Sequence, residues 1–394
     1  MRNGLNITGV SETVHELREH PEEAIADFAV AASARTDDHG VFRARAQTLR
    51  AGTIRVARDF RLKQRSFTVE AAGDCTPHGS DADGIPTPYE SALAALGACV
   101  LMTKVNGYTA RGVTLGALRV TVRADLALDA DGKPAAGAPL SRLAWHCALD
   151  GDTSTDTVTS INRLVTAFSP NHRVFLDASP ITVSARVERG DGTTVDVSVP
   201  WTPAAAETAA VCPVEADVVW ENGSEAVYRT ALTVNGVRRR SAPLIADQPK
   251  QLVGIDKGPN SQEILLSALC GELAALLEEE AAADGTELHD PVLRADGRID
   301  TRGMLNVHRE ISSSFHNLAI RLTARGDAPE AQLRGVLSRA LSRAVLPATL
   351  LAERAITVTV AHGDEPRLTY HSTVEDAEGI RDEVTRRQRE AAAS

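Results

Sequence analysis

The chain lacks most of the features that assign a function directly. Its five cysteines, Cys75, Cys99, Cys147, Cys212 and Cys270, contain no CxxC or CxxxC pair, so neither a zinc centre nor a disulfide framework is indicated. No metal site is therefore expected, and a reducing compartment is the setting that fits. No stretch approaches the roughly 20 apolar residues of a membrane-spanning helix. The first residues reach charge without an apolar core of signal-peptide length, so a soluble, cytoplasmic protein with no membrane partner is expected. Positive charge is in deficit, with 42 Lys and Arg against 53 Asp and Glu for a net charge of −11, which argues against a nucleic-acid partner. The longest basic run is Arg238-Arg239-Arg240. There is no glycine-rich phosphate loop or dinucleotide fingerprint, so no cofactor is expected. Ser312-Ser313-Ser314 lacks the flanking glycines of a nucleophile elbow.

What is present is a repeat. Residues 84–102 read G-I-P-T-P-Y-E-S-A-L-A-A-L-G-A-C-V-L-M, and a degenerate copy occupies 258–276. Aligning Pro86 with Pro259 and Glu90 with Glu263 sets the copies 173 residues apart, a period that means duplicated domains and not a solenoid. In that register Gly97 meets Cys270, and Cys99 meets Glu272. One half has a helix cysteine where the other has a carboxylate. A length of 394 residues accommodates two domains, each with a core.

Apolar spacing gives a coarse order of elements. Val14, Leu17, Ala24, Ile25, Phe28 and Ala31 predict short amphipathic helices within an N-terminal appendage, 1–40. Alternating residues over 42–57 and 66–71 predict strands, followed by a polar loop over 75–84 and a helix from the motif. Strands over 113–128 and 140–149, a helix over 152–168, and strands over 181–187 and 194–199 complete a first domain, 41–202. A linker, 203–224, begins with the Ala- and Thr-rich stretch 203–211. A second domain, 225–365, repeats the order, with a helix over 261–280, a long loop over 284–316, a helix over 328–344 and a last strand over 356–360. A charged C-terminal tail, 366–394, reads as an exposed or frayed helix.

The run P-x-P-x-E-x-x-x-x-A-L-G-A-C on a central helix, with Ser169-Pro170 ending the next helix, resembles the OsmC/Ohr family of thiol-dependent hydroperoxide reductases. The resemblance covers 41–187 well and 226–360 more weakly, the latter through Asp256-Lys257-Gly258-Pro259 and residues 298–303. It implies an α+β fold of two such domains, antiparallel sheets packed around long central helices, forming a pseudo-dimer within one chain. The assembly would be that monomer or a homodimer of it.

The resemblance further implies reduction of an organic hydroperoxide by Cys99, with an external thiol reductant as partner. The family's peroxidase branch resolves with a cysteine where this chain has Ser169, and a serine cannot close that disulfide. In that branch a carboxylate also follows the motif proline directly; here Tyr89 follows Pro88, and Glu90 comes one later. Two readings of Glu90 stand side by side. It is a catalytic carboxylate by resemblance, and it is the N3 member of a Thr87-Pro88-Tyr89-Glu90 capping box by local chemistry. Nine residues at roughly 100° each set Glu90 and Cys99 on opposite sides of a helix, which favours the capping role. Arg50 and Arg55 are the candidates for the thiolate-activating arginine, and Tyr89, Ser169 and Arg302 for the pocket wall. His308, His316 and Glu310 lie in one predicted loop without ligand spacing. Two further readings remain open: a repurposed enzyme using Cys99 as nucleophile or acid on a specialised metabolite, and a non-enzymatic protein that binds a small apolar ligand.

Overall fold

The computed structural model describes residues 1–34, 41–46, 50–51, 65–70, 84–204, 207–234, 236–249, 252, 254–365 and 367–393. The first half of the chain runs α1 (Ile7–Glu19), β1 (Ile25–Ala34), β2 (Val41–Ala46), β3 (Arg50–Ala51), β4 (Arg65–Glu70), α2 (Pro88–Ala110), β5 (Leu115–Leu128) and β6 (Ser141–Gly151). It continues through α3 (Thr155–Phe168), α4 (Pro170–Leu176), β7 (Thr182–Glu188) and β8 (Thr194–Val199). The second half runs β9 (Ala210–Asn222), β10 (Glu225–Val234), β11 (Val237–Arg240), β12 (Leu244–Ala246), α5 (Ser261–Asp284), β13 (His289–Asp300) and α6 (Thr301–Met304). It ends with β14 (His316–Arg325), α7 (Glu330–Arg343), α8 (Val345–Leu350), β15 (Ile356–His362), β16 (Leu368–Ser372) and α9 (Val374–Ala393).

The architecture is α+β, with two sheets enclosing two central helices. One sheet has the order β4-β2-β1-β13-β14-β7-β8 with β3 beside β1; the other has β11-β10-β9-β5-β6-β15-β16 with β12 beside β10. The two orders read alike, and each is woven from both halves of the chain. The β13–β14 pair of the second half sits between β1 and β7 of the first, and β5–β6 sits between β9 and β15. The expected sheets were antiparallel, yet β14–β7 and β6–β15 are parallel. No hairpin joins the strands at those junctions, so no tight turn dictates an antiparallel partner.

Between the sheets, α2 packs on β9 and β5, α5 packs on β1 and β13, and the two helices pack on each other. Both are therefore apolar on every side. Every residue from Pro88 to Met102 and from Ser261 to Leu277 is buried. Both helices open with a completed capping box, Thr87 with Glu90 and Asn260 with Glu263, which satisfies backbone donors that no water can reach. One contiguous apolar core spans both halves.

Several expected boundaries change. Residues 25–34, expected as helix, form β1, with Ala26, Phe28, Val30 and Ala32 buried at a period of two. Alanine favours helix in isolation, and pairing with β13 overrides it. The expected linker 203–224 contains β9, a central strand whose Cys212, Val214, Ala216 and Val218 face inward. The expected loop 284–316 contains β13 and α6. The expected tail holds α9, whose Ala377 and Ile380 are buried and whose Glu378 and Glu383 pair with Arg173 and Arg163.

Candidate functional site

Cys99 lies midway along α2, 3% exposed, where α4 and α5 converge on it. Donors from Ser169, Asn171, Ser261 and Gln262 act on its sulfur. The Asn171 backbone N–H is 3.3 Å from Sγ, the Ser169 hydroxyl 3.4 Å, and the Gln262 side-chain amide 3.7 Å. Ser169 ends α3 and Pro170 opens α4, so the sharp turn between these helices aims both a hydroxyl and an amide at one point. Asn171 fixes the turn in place. Its side-chain amide donates to the carbonyls of Ala95 on α2 and Ser261 on α5, at 3.0 and 2.9 Å. The side-chain oxygen of Asn171 is buried and has no hydrogen-bond partner among the described residues.

Burial pushes the Cys99 thiol above its ordinary pKa, and the donors from Ser169, Asn171, Ser261 and Gln262 pull the other way. Among the described residues no cation contributes to its ionisation. The adjacent His172 is not its base. Trp145 Nε1 donates to His172 Nδ1 at 3.3 Å, and Ser372 Oγ lies 2.9 Å from Nε2, so both ring nitrogens are engaged. Burial, then the charges of Arg173 and Lys104, hold this imidazole neutral with a pKa of about 3. The resting state at Cys99 is a thiol facing an array of donors suited to an anion.

Ten residues separate Tyr89 from Cys99 on α2, and Gln262 from Glu272 on α5. Gln262 reaches Cys99, while the Tyr89 hydroxyl donates to Glu272 Oε1 at 3.3 Å, so the helices run antiparallel and each sends a side chain to the middle of the other. Glu272 occupies the place that the sequence register gives to Cys99. It is fully buried and accepts the N–H groups of Val345 at 2.6 Å and Leu346 at 2.9 Å, at the start of α8. Desolvation by burial raises its carboxyl pKa to about 7 against these three donors.

The sequence candidates divide accordingly. Cys99 and Ser169 lie together, the Ser169 hydroxyl 3.4 Å from Sγ. Tyr89 was expected in the Cys99 pocket but is directed at Glu272, because the antiparallel packing carries the first turn of α2 to the middle of α5. Glu90 accepts the Thr87 amide at 2.8 Å and is a capping residue buried at the head of α2. Arg302 forms a paired hydrogen bond with Asp300, the N-cap of its own short helix, at 3.0 and 2.6 Å, and is not among the groups that act on Cys99. Arg50 lies on β3 opposite Asp27 of β1, its side chain outside the described residues. Arg55 and Cys75 lie outside them altogether. Glu310 pairs with Arg389, and His308 and His316 form no metal-ligand cluster with it among the described residues.

Gln262, Asn171 and Glu272 were not among the sequence candidates. The repeat register aligns Gln262 with Tyr89, a signal that both first-turn residues do equivalent work, but which atom each meets depends on how the helices cross.

Residues 78–184 match the family model described as OsmC-like protein. This span carries α2, the turn that presents Ser169 and Asn171, and Cys99 itself. No curated protein matches the chain. Among the described residues no helix is long and apolar enough to cross a membrane.

Proposed function

We propose, from the OsmC-like segment at 78–184, that this chain is a tandem-duplicated protein folded as an internal pseudo-dimer, in which Cys99 reduces an organic hydroperoxide and an external thiol regenerates it. The single observation that carries the chemistry is the convergence of the Asn171 amide, the Ser169 hydroxyl and the Gln262 amide on Cys99 Sγ. The second half contributes to this array through Gln262, and its Ser261 side chain also acts on the thiol. The matched strand orders and the reciprocal contacts, Gln262 to Cys99 and Tyr89 to Glu272, support the duplication.

In the proposed reaction the Cys99 thiol loses its proton, and the thiolate attacks the distal oxygen of the hydroperoxide. The S–O bond forms as the O–O bond breaks; the leaving alkoxide takes up a proton, giving an alcohol and Cys99 sulfenic acid. An external thiol then displaces water to form a mixed disulfide, and a second thiol releases Cys99 as thiol and leaves as the external disulfide. Four of the five cysteines are described; all four are free and buried, and Ser169 stands beside Cys99 where an internal resolving thiol would act. The unpartnered side-chain oxygen of Asn171 offers an acceptor for the hydroperoxide O–H. Because the resting thiol is protonated, the rate is expected to climb with pH on the alkaline side.

The test is intact-mass spectrometry after stoichiometric cumene hydroperoxide, with Cys99→Ser as blank. A single-oxygen adduct of about 16 Da at Cys99 that thiol reverses supports the reading. Ser169→Ala should keep the adduct while moving the rate profile to higher pH. No adduct, together with equal peroxide consumption by Cys99→Ser, overturns it.

A further inference from the structure

A cavity of about 400 Å³ opens between the second half of α5 and its sheet, walled by Ala32, Ala274, Leu277, Ala281, Leu293 and Leu322. It shares no residue with the surroundings of Cys99. Its size is that of a small-molecule site. Strand register identifies what fills the corresponding space in the other layer. Leu293 stands opposite Ala32 on β1 and Leu322 on β14, as Val120 stands opposite Val218 on β9 and Cys147 on β6. The helix register of 173 sets Ala274, Leu277 and Ala281 against Leu101, Lys104 and Tyr108.

Between α2 and its sheet those positions are closed. Leu101, Lys104 and Tyr108 are buried there, with the Lys104 ammonium 5.0 Å from the centre of the Trp145 ring and hydrogen-bonded to Asn162. Between α5 and its sheet, alanine replaces leucine at 274, tyrosine at 281 and valine at 32, while leucine replaces Val120 at 293 and Cys147 at 322, so the bulk lost is that of the helix face and of β1. Interiors are close-packed because apolar walls held apart forgo their dispersion contacts. Three small residues at three facing positions keep this one open.

Among the described residues the charged part of the lining is acidic apart from His289, whose Nε2 lies 3.9 Å from Glu287 and leaves Glu278 as the carboxylate without an ion pair. Glu278 and Glu287 are exposed, joined by Thr286 and His289, and among the described residues neither lysine nor arginine lines the cavity. Glu278 makes no ion pair among the described residues, and the Thr286 hydroxyl is already committed to Asp284 at 2.9 Å. An apolar body in the cleft with a positive group at its mouth would meet both requirements.

We infer that this cavity binds a small amphipathic cation, an aliphatic or aromatic body carrying a protonated amine that faces Glu278 and Glu287. The register comparison rests on the proposed duplication; the cavity and its carboxylates do not rest on the peroxidase reading.

Isothermal titration of the full chain with 3-phenylpropylamine, 3-phenylpropanol and 3-phenylpropionate tests it, since the three share a body and differ in head charge. The amine is expected to bind at least ten-fold more tightly than the carboxylate, with the alcohol between. Ala281→Tyr, which restores the bulk of the closed layer, should abolish amine binding, and Glu278→Gln should lower it at least three-fold. Ala274→Leu is a smaller filling of the same space and serves if Ala281→Tyr does not fold. No binding by any probe, equal binding of amine and carboxylate, or amine binding unchanged in a folded cavity-filling variant overturns the inference. Because these readouts use no peroxide and leave Cys99 intact, their failure is distinguishable from failure of the peroxidase reading.

Discussion

Glu272 provides the sharpest test of the buried electrostatics. Its carboxyl is fully buried, accepts hydrogen bonds from Val345, Leu346 and Tyr89, and still has its pKa raised from 4.5 to about 7 by desolvation. A folded-state pKa above the unfolded one means that the native protein holds the proton more tightly. The associated stability is fully present below about pH 4.5 and is lost as pH rises through about 7. Between pH 5 and pH 8 that loss amounts to about 2.5 kcal/mol. Glu272→Gln keeps the volume and one acceptor oxygen but cannot ionise. It leaves one of the two α8 amides without its acceptor, a cost of about 1–3 kcal/mol that is the same at every pH. Urea-unfolding midpoints of both proteins at pH 5, 6, 7 and 8 separate the two contributions, because every other titrating group cancels in the difference. The wild-type advantage over Glu272→Gln should shrink by about 2.5 kcal/mol across this range. Curves that stay parallel within about 0.5 kcal/mol would refute the claim that burial, and not the three donors, dominates this carboxylate.

Two further outcomes follow from the packing. A Cβ at Gly97 would lie 2.8 Å from Val218 Cγ2 and 3.0 Å from Val122 Cγ2, so Gly97→Ala should lose about 1–3 kcal/mol to overpacking against about 1 kcal/mol of helix propensity gained. Calorimetric melting checks the sign, and a raised melting temperature would show that α2 can move off its sheet. A chain ending at Thr202 loses β13 from beside β1, β14 from beside β7, β9 from beside β5 and β15 from beside β6. It should self-associate or fail to fold; a stable monomer in analytical ultracentrifugation would sink the pseudo-dimer reading.

What the sequence determined by itself was local. Both capping boxes link residues three apart, so Thr87 with Glu90 and Asn260 with Glu263 could be read as helix starts before any tertiary contact was known. The register between the two similar stretches set Glu272 against Cys99, and a nine-residue spacing put Glu90 on the far side of a straight helix from Cys99. The strand character of 25–34 was hidden because its alanines carry little strand preference and its partner, β13, begins more than 250 residues away. Only the tertiary structure decided which residues face the sulfur and the buried carboxylate. Gln262 reaches Cys99 across 163 residues and Tyr89 reaches Glu272 across 183, distances over which no periodicity in the chain carries a signal. The antiparallel crossing of α2 and α5, and the exchange of strand pairs between the sheets, follow from burying two helices that are apolar on every side, a requirement that the whole chain meets at once.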